Sequence, residues 1–205
     1  MGSSIEQATD IKADLYTFSK GLANGNRISC LVGRNELMSK ASNFTFTSFY
    51  NAIPFYAAVT TLKKMKENKG YEYLNEIGEK LSIEMNCVLA ESEIPIRVFG
   101  QGPMLQFVCA NDELEEEFYH LCTENGLLLF ERDNQAMSCA IDDDAIAEVC
   151  DILKDVTEKL AIKFPQYKNA NISSKRVFST AWDMIDGAAD IGKLEDKIEW
   201  IKELM

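Results

Sequence analysis

The chain has 205 residues, 21 Lys+Arg against 33 Asp+Glu, and a formal net charge of -12. That length allows one domain or two small ones, and a hydrophobic share of 46% supplies a packed core, which excludes a wholly disordered chain. The acidic balance excludes the clustered cations of a nucleic-acid interface, and no run of about 18 apolar residues marks a membrane span. The opening MGSSIEQATD has neither a basic start nor an apolar stretch behind it, so a secretory leader is not expected. The six cysteines, Cys30, Cys87, Cys109, Cys122, Cys139 and Cys150, form no C-x-x-C pair and lie mostly in apolar runs. They read as buried free thiols of a reducing, cytoplasmic setting. His120 is the single histidine, which disfavours a histidine zinc site or a Ser-His-Asp triad; its context, EEEFYHLC, is that of an ordinary helix residue.

In chain order, residues 1 to 13 are polar and give no element. Leu15 to Phe18 is a short β-prone run that ends at Ser19-Lys20-Gly21. Gly21, Gly25 and Gly33 then punctuate a turn and a strand, ISCLV. Asn35 to Ser42 suits a short helix, and Asn43 to Tyr50 a loop or extended segment. A helix follows, with Pro54 in its first turn, apolar residues Phe55, Ala58, Val59, Leu62 and Met65 at steps of three and four, lysines 63, 64, 66 and 69 near its end, and Gly70 as its stop. Leu74, Ile77, Leu81 and Met85 mark a second amphipathic helix.

Beyond it, IRVF (96–99) and MLQFVC (104–109) read as strands split by Gly100, Gly102 and Pro103. Asp112 is placed to cap a helix carrying Leu114, Phe118, Leu121 and Cys122, stopped by Gly126. LLLF (127–130) and AMSCA (136–140) read as further strands. Asp142 to Asp144 open a helix with Ile146, Val149, Cys150, Leu153, Val156 and Leu160. The acidic triplet suits a helix N-terminus and lacks the alternating ligand spacing of a calcium loop. This order predicts an α+β layer, an antiparallel or mixed sheet with helices on one face. Pro165 closes the unit, Asn169 to Lys175 is a polar linker, and the tail from Val177 to Met205 carries a helical stripe of Ile191, Leu194, Ile198 and Ile201 that would dock on the core or on a partner.

Lys20 is the residue that can carry chemistry. Most lysines are solvated surface charges, but an apolar strand delivers this one to a glycine-rich turn, where backbone can approach a ligand closely. A desolvated lysine amine loses proton affinity and becomes a nucleophile towards carbonyls. The residues alone leave this as one option, alongside a cofactor-free lysine aldolase or decarboxylase.

DLYTFSKGLANGNRISCLVGRNELM (14–38) resembles the lysine segment of class III pyridoxal-phosphate-dependent aminotransferases, above all the glutamate-1-semialdehyde aminomutase-like branch. Members have Pro-Asp-Leu, then Gly/Ser-Lys, a glycine-rich turn, a strand and Gly-Arg-x-x-x-Met. Here these read Ala13-Asp14-Leu15, Ser19-Lys20, Gly21 to Gly25, and Gly33-Arg34 to Met38. TSFYNAIPFYAAVTTLKKM (47–65), GYEYLNEIGEKL (70–81) and DDDAIAEVCDIL (142–153) continue the resemblance, which covers about Asp10 to Ile162.

The resemblance implies an α/β fold: the C-terminal part of a type I pyridoxal-phosphate-dependent transferase, with the end of the large domain over 1–70, an α+β small domain over 71–165, and a linker and helical tail over 166–205. It implies a Schiff base between Lys20 and pyridoxal 5'-phosphate, with Lys20 also shuttling a proton. Thr47, and less directly Ser48, would hold the cofactor phosphate, in such dimers of the neighbouring subunit. The substrate would be an amino acid, an amino-aldehyde or a keto compound, and the partner a second copy or a complementing N-terminal polypeptide. The family's Asn-Pro reads Asn51-Ala52 here, with Pro54 displaced. The aspartate for the pyridine nitrogen and the Gly-Ser phosphate loop belong upstream of the lysine, and residues 1 to 13 hold neither. A chain with this gap would be a poor transaminase by itself; the competing expectation is a non-catalytic interaction or structural half-domain of the same fold.

Overall fold

In the computed structural model of the protein, the described residues are 12–41 and 51–177. The chain divides between Tyr71 and Glu72 into two units, each with its own packing.

The first unit opens on strand β1, Leu15–Phe18, paired antiparallel with β2, Cys30–Gly33, from Leu15 opposite Gly33 to Phe18 opposite Cys30. Period-two alternation puts Tyr16 and Phe18 on the half-buried side, their rings stacked with centroids 6.5 Å apart. Gly33 is required by closeness: a Cβ there would lie 2.4 Å from the Asp14 carbonyl oxygen. The Arg34 amide donates to that carbonyl at 3.2 Å, and its Nε meets the Asp14 carboxylate at 3.1 Å. Helix α1, Asn35–Ala41, follows directly.

Helix α2, Ala52–Glu67, is capped by Asn51, whose side chain accepts from the Ile53 amide at 3.1 Å. Pro54 sits buried in the first turn, where no intrahelical donor is needed. The displaced proline is thus compatible with a helix start. Gly70 does not stop this helix: the chain leaves it through Asn68 and a left-handed Lys69 (φ 50°), and Gly70 begins helix α3, Gly70–Glu91.

In the second unit α3 buries Ile77, Leu81, Met85, Val88 and Leu89. Strands β3, Ile96–Gln101, and β4, Met104–Cys109, form a hairpin in register from Ile96 opposite Cys109 to Gln101 opposite Met104. The turn is Gly102-Pro103, with Gly102 at φ 53°. Gly78 of α3 lies against this turn so closely that a Cβ would be 2.0 Å from the Gly102 carbonyl oxygen. Helix α4, Asp112–Glu124, is capped by Asn111, one residue before the expected Asp112; its side chain accepts from the Leu114 amide at 2.9 Å. Helix α5, Asp143–Lys163, is capped by Asp142, which accepts from the Ala145 amide at 3.0 Å.

The sheet is antiparallel in the order β3-β4-β5, where β5 is only Gln135–Ala136. Leu105 to Cys109 are buried on both faces of β4, so water is excluded from more than the expected single face. Two expected strands are corrected. LLLF is irregular: Leu127 and Leu129 pack on the core while Leu128 and Phe130 are 81% and 71% exposed. Its alternation is that of a strand, but the Gln135 side chain takes both the Phe130 amide (3.0 Å) and the Phe130 carbonyl (2.7 Å). AMSCA contributes Ala136 alone to the ladder.

The core joins these elements through Phe107, Phe118, Leu89, Ile94, Leu114 and Leu153. Cys109, Cys122 and Cys150 are buried, as expected of free thiols, but Cys87 and Cys139 are exposed and Cys30 is half-buried. Residues 169–175, expected as a linker, are tied at both ends. The Asn169 amide donates to the Glu93 carbonyl at 2.8 Å. Arg176 donates to the Cys109 carbonyl at 3.0 Å, to Asp112 at 2.7 Å and to Glu115 at 3.0 Å.

Candidate functional site

The lysine segment is a single 3-10 turn, Lys20–Ala23, set between β1 and β2. β1 is extended to its end and Ser19 continues that geometry (φ -156°, ψ -157°). The chain then reverses within one residue: Lys20 has φ 51°, Asn24 φ 44° and Gly25 φ 95°. Asparagine and glycine enter this left-handed region readily. A lysine there costs roughly 1–2 kcal/mol, and such strain persists only where the surroundings over-determine it.

Those surroundings are visible. The Leu22 amide donates to the Ser19 carbonyl at 3.1 Å, the Asn24 amide to Gly21 at 3.2 Å, and the Asn26 amide to Ala23 at 3.1 Å. Asn26 doubles the last bond through its side-chain nitrogen at 3.2 Å. The Ser19 hydroxyl reaches across to the Ile28 carbonyl at 3.3 Å. Ala23 is fully buried, and the turn packs on α2, where Pro54 and Ala58 are the buried residues. Sequence reasoning found the lysine and the glycines; the bracing by Ser19, Asn24 and Asn26 was readable only as a generic Asn-Gly turn signal.

Lys20 itself is exposed. The expectation of an amine held out of water is therefore not met by the described residues of this chain. The open groove on the hairpin is lined by Tyr16, Phe18, Val32 and Arg34 among others, and Lys20 is not part of its lining. Thr47 and Ser48 lie outside the described residues, so no distance relates them to Lys20. His120 is an exposed residue of α4, 3.3 Å from Glu124 one turn on. Among the described residues no three His, Cys, Asp or Glu side chains form a group able to hold a metal ion, and no helix is long and apolar enough to cross a membrane.

The second unit holds the charged cluster that sequence reading missed. Glu115 is 1% exposed, and its Oε2 accepts from Arg132 Nε at 2.7 Å and from Arg176 Nη2 at 3.0 Å. Asp112 accepts from the same two arginines at 3.1 and 2.7 Å. The Arg176 hydrogen bond, foremost, holds the Asp112 carboxyl below the usual carboxylate range. Glu115 Oε1 is buried without a hydrogen-bond partner. Burial pushes the thiol of Cys122 up to about 12, and that of Cys109 also well above its ordinary value.

Comparison with known proteins places this architecture. The family model described as aminotransferase class-III matches residues 4–157. Glutamate-1-semialdehyde 2,1-aminomutase of Thermus thermophilus is 30% identical over 136 residues, which is 57% of this chain and 32% of that protein. The 3-aminobutyryl-CoA aminotransferase of Cloacimonas acidaminovorans is 30% identical over 118 residues, 53% of this chain and 28% of that protein. Among solved structures, the PLP internal aldimine form of the FumI protein of Sphingopyxis sp. MTA144 superposes with a TM-score of 0.70 at 23% identity, covering 78% of this chain and 40% of that one. An omega-transaminase from Sphaerobacter thermophilus superposes with a TM-score of 0.65 at 14% identity, covering 75% and 40%. These structural likenesses show the fold, a partial mixed α/β type I aminotransferase fold. The chain spans about a third of the length of the curated relatives it matches. On the match over residues 4–157, the chain belongs to the class-III aminotransferases.

Proposed function

We propose that this chain supplies the lysine-bearing segment and small domain of a pyridoxal-phosphate-dependent aminotransferase or aminomutase, with Lys20 as the amine that holds the cofactor. The observation that carries this reading is the place of Lys20 within the matched segment, at the end of a strand and in a turn braced by five hydrogen bonds. Its left-handed backbone agrees with this reading but does not single it out, since Lys69 adopts the same conformation at a helix end.

The fit to the cofactor is as follows. Lys20 Nζ, at the end of a strand and open to approach, suits condensation with an aldehyde. Thr47 and Ser48 are proposed for the phosphate on the resemblance of their segment alone. When bound, pyridoxal phosphate supplies an electron sink that loosens bonds at an amino-bearing carbon. Lys20 would then take a proton from that carbon at Nζ and deliver it to the carbon on the cofactor side of the nitrogen. Proton transfer at Nζ is served by a site from which water is excluded, so this work needs Lys20 covered. A second polypeptide, either another copy of this chain or an N-terminal complement, is proposed as the cover. The substrate class is an amino acid, amino-aldehyde or keto compound.

The exposure of Lys20 favours one other reading, a non-catalytic half-domain that keeps the fold for association. The two differ in absorbance. The protein isolated with its natural partners should show a cofactor band at the edge of the visible when pyridoxal phosphate is added, lost in Lys20→Ala and bleached by an amine donor. The same band in Lys20→Ala, or none in either, would sink the enzymatic reading. Trapping of a keto substrate by borohydride in cofactor-free protein would instead point to a lysine aldolase or decarboxylase.

A further inference from the structure

Two helices present outer faces that stay open to water. On α2, whose buried residues are Pro54 and Ala58, the opposite face steps by three and four through Ile53, Tyr56, Val59, Lys63 and Lys66. Ile53, Tyr56 and Val59 are 69%, 77% and 48% exposed, and α2 has no carboxylate before Glu67. On α3, which buries Ile77, Leu81, Met85 and Val88, the opposite face runs through Glu76, Glu79, Ile83, Cys87 and Ala90, all exposed. Lys63, Lys66, Glu76 and Glu79 are in no ion pair among the described residues. The charge of the chain is divided in the same sense: residues 1–71 hold 9 Lys+Arg against 5 Asp+Glu, and residues 72–205 hold 12 against 28. One copy is therefore not uniformly repelled by another, despite the net charge of -12.

We propose that α2 of one copy docks antiparallel on α3 of a second copy of this chain. Laid in that direction the two faces match position by position. Ile53 and Tyr56 meet Ala90 and Cys87, Val59 meets Ile83, Lys63 meets Glu79, and Lys66 meets Glu76. The apolar half supplies the affinity by leaving water. The charged half adds little stability, as exposed ion pairs do, but it fixes direction and register. A parallel arrangement would set Glu76 and Glu79 against Ile53 and Tyr56 and leave both lysines over apolar residues, so it is disfavoured. Every copy carries both faces, so the exchange is reciprocal in a dimer. Neither face depends on the role proposed for Lys20.

Sedimentation equilibrium of the full chain, without pyridoxal phosphate, tests it. The parent protein should form a dimer. Lys63→Glu/Lys66→Glu and Glu76→Lys/Glu79→Lys should each weaken that dimer at least tenfold. An equimolar mixture of the two variants should restore a mixed dimer of near-parent affinity, because one contact is then reversed on both sides and the other is unchanged. All four sites are exposed, so the far-ultraviolet circular dichroism should stay the same. Cys87 supplies a second readout. Its labelling should slow relative to exposed Cys139 as the parent is concentrated, yet stay ahead of the buried thiols, since dissociation frees it without unfolding. A parent that stays monomeric, a dimer that keeps its affinity in either variant, variants not restored by mixing, or Cys87 labelling that is flat with concentration would each overturn the proposal.

Discussion

A lysine at φ 51° trades stability for position. Replacing Lys20 by glycine removes the side chain and the strain together, whereas alanine removes the side chain and keeps the strain. Lys20→Gly should therefore make the first unit more stable than Lys20→Ala by about 1 kcal/mol, seen as a higher unfolding midpoint, with cofactor binding lost in both. Equal midpoints would mean that the turn relaxes freely. Glu115 poses the opposite case. A buried carboxylate shared by Arg132 and Arg176 is weak as a net source of stability, and both arginines keep Asp112 when it is removed. Glu115→Ala should cost about 1–3 kcal/mol in denaturant unfolding, against less for exposed Asp14→Ala, whose ion pair with Arg34 is open to water. Asp112 sets a pH dependence. Its folded carboxyl titrates below its ordinary value because Arg176 bonds the charged form. Its contribution is therefore present above the unfolded carboxylate value and is lost as pH falls through the lower folded one. Arg176→Gln should flatten the acid limb of the stability curve, and an unchanged limb would contradict the assignment. Thiol reagents at mildly alkaline pH should label Cys87 and Cys139 first. Cys109, Cys122 and Cys150 should wait for unfolding, since burial both shields them and raises their thiols.

Helices follow from signals that any reader of the sequence can use. Steps of three and four placed α2, α3, α4 and α5, and Asp142 capped α5 as its acidic run suggested. The misplacements have local causes. Gly70 looked like a stop because glycine often ends helices, but the left-handed turn was taken by Lys69. Asn111 outranked Asp112 as a cap because its extended backbone points its side chain at the Leu114 amide. LLLF has the alternation of a strand but no neighbour to pair with, since a glutamine side chain occupies the Phe130 backbone. No periodicity argument sees such a competitor. The Gly78–Gly102 contact was equally illegible, because it joins a helix to a turn far along the chain. It makes a sharp prediction: Gly78→Ala should lower the stability of the second unit by about 1–3 kcal/mol, measured by chemical unfolding, while the first unit is unaffected. A silent substitution would mean that α3 and the hairpin can part at no cost.

At the scale of the whole chain, membership in the class-III aminotransferases was legible from the lysine segment and the helices after it, because those motifs sit in one continuous run. The Arg132–Arg176 cluster was not, since its four charged residues come from three separated stretches and meet only in the folded unit. What the fold presents is an amine placed by strain and left open, with exposed Ile53, Tyr56 and Val59 on the helix behind its turn. Apolar exposure of that kind suits the covering polypeptide proposed above for the lysine site. The most direct test of the central claim is to reduce the assembled protein with borohydride in the presence of pyridoxal phosphate and map the modified lysine. The account predicts the label on the peptide that contains Lys20, saturating well before any other. Label spread over surface lysines such as Lys63, Lys64 and Lys66, at a level unchanged by Lys20→Ala, would contradict it.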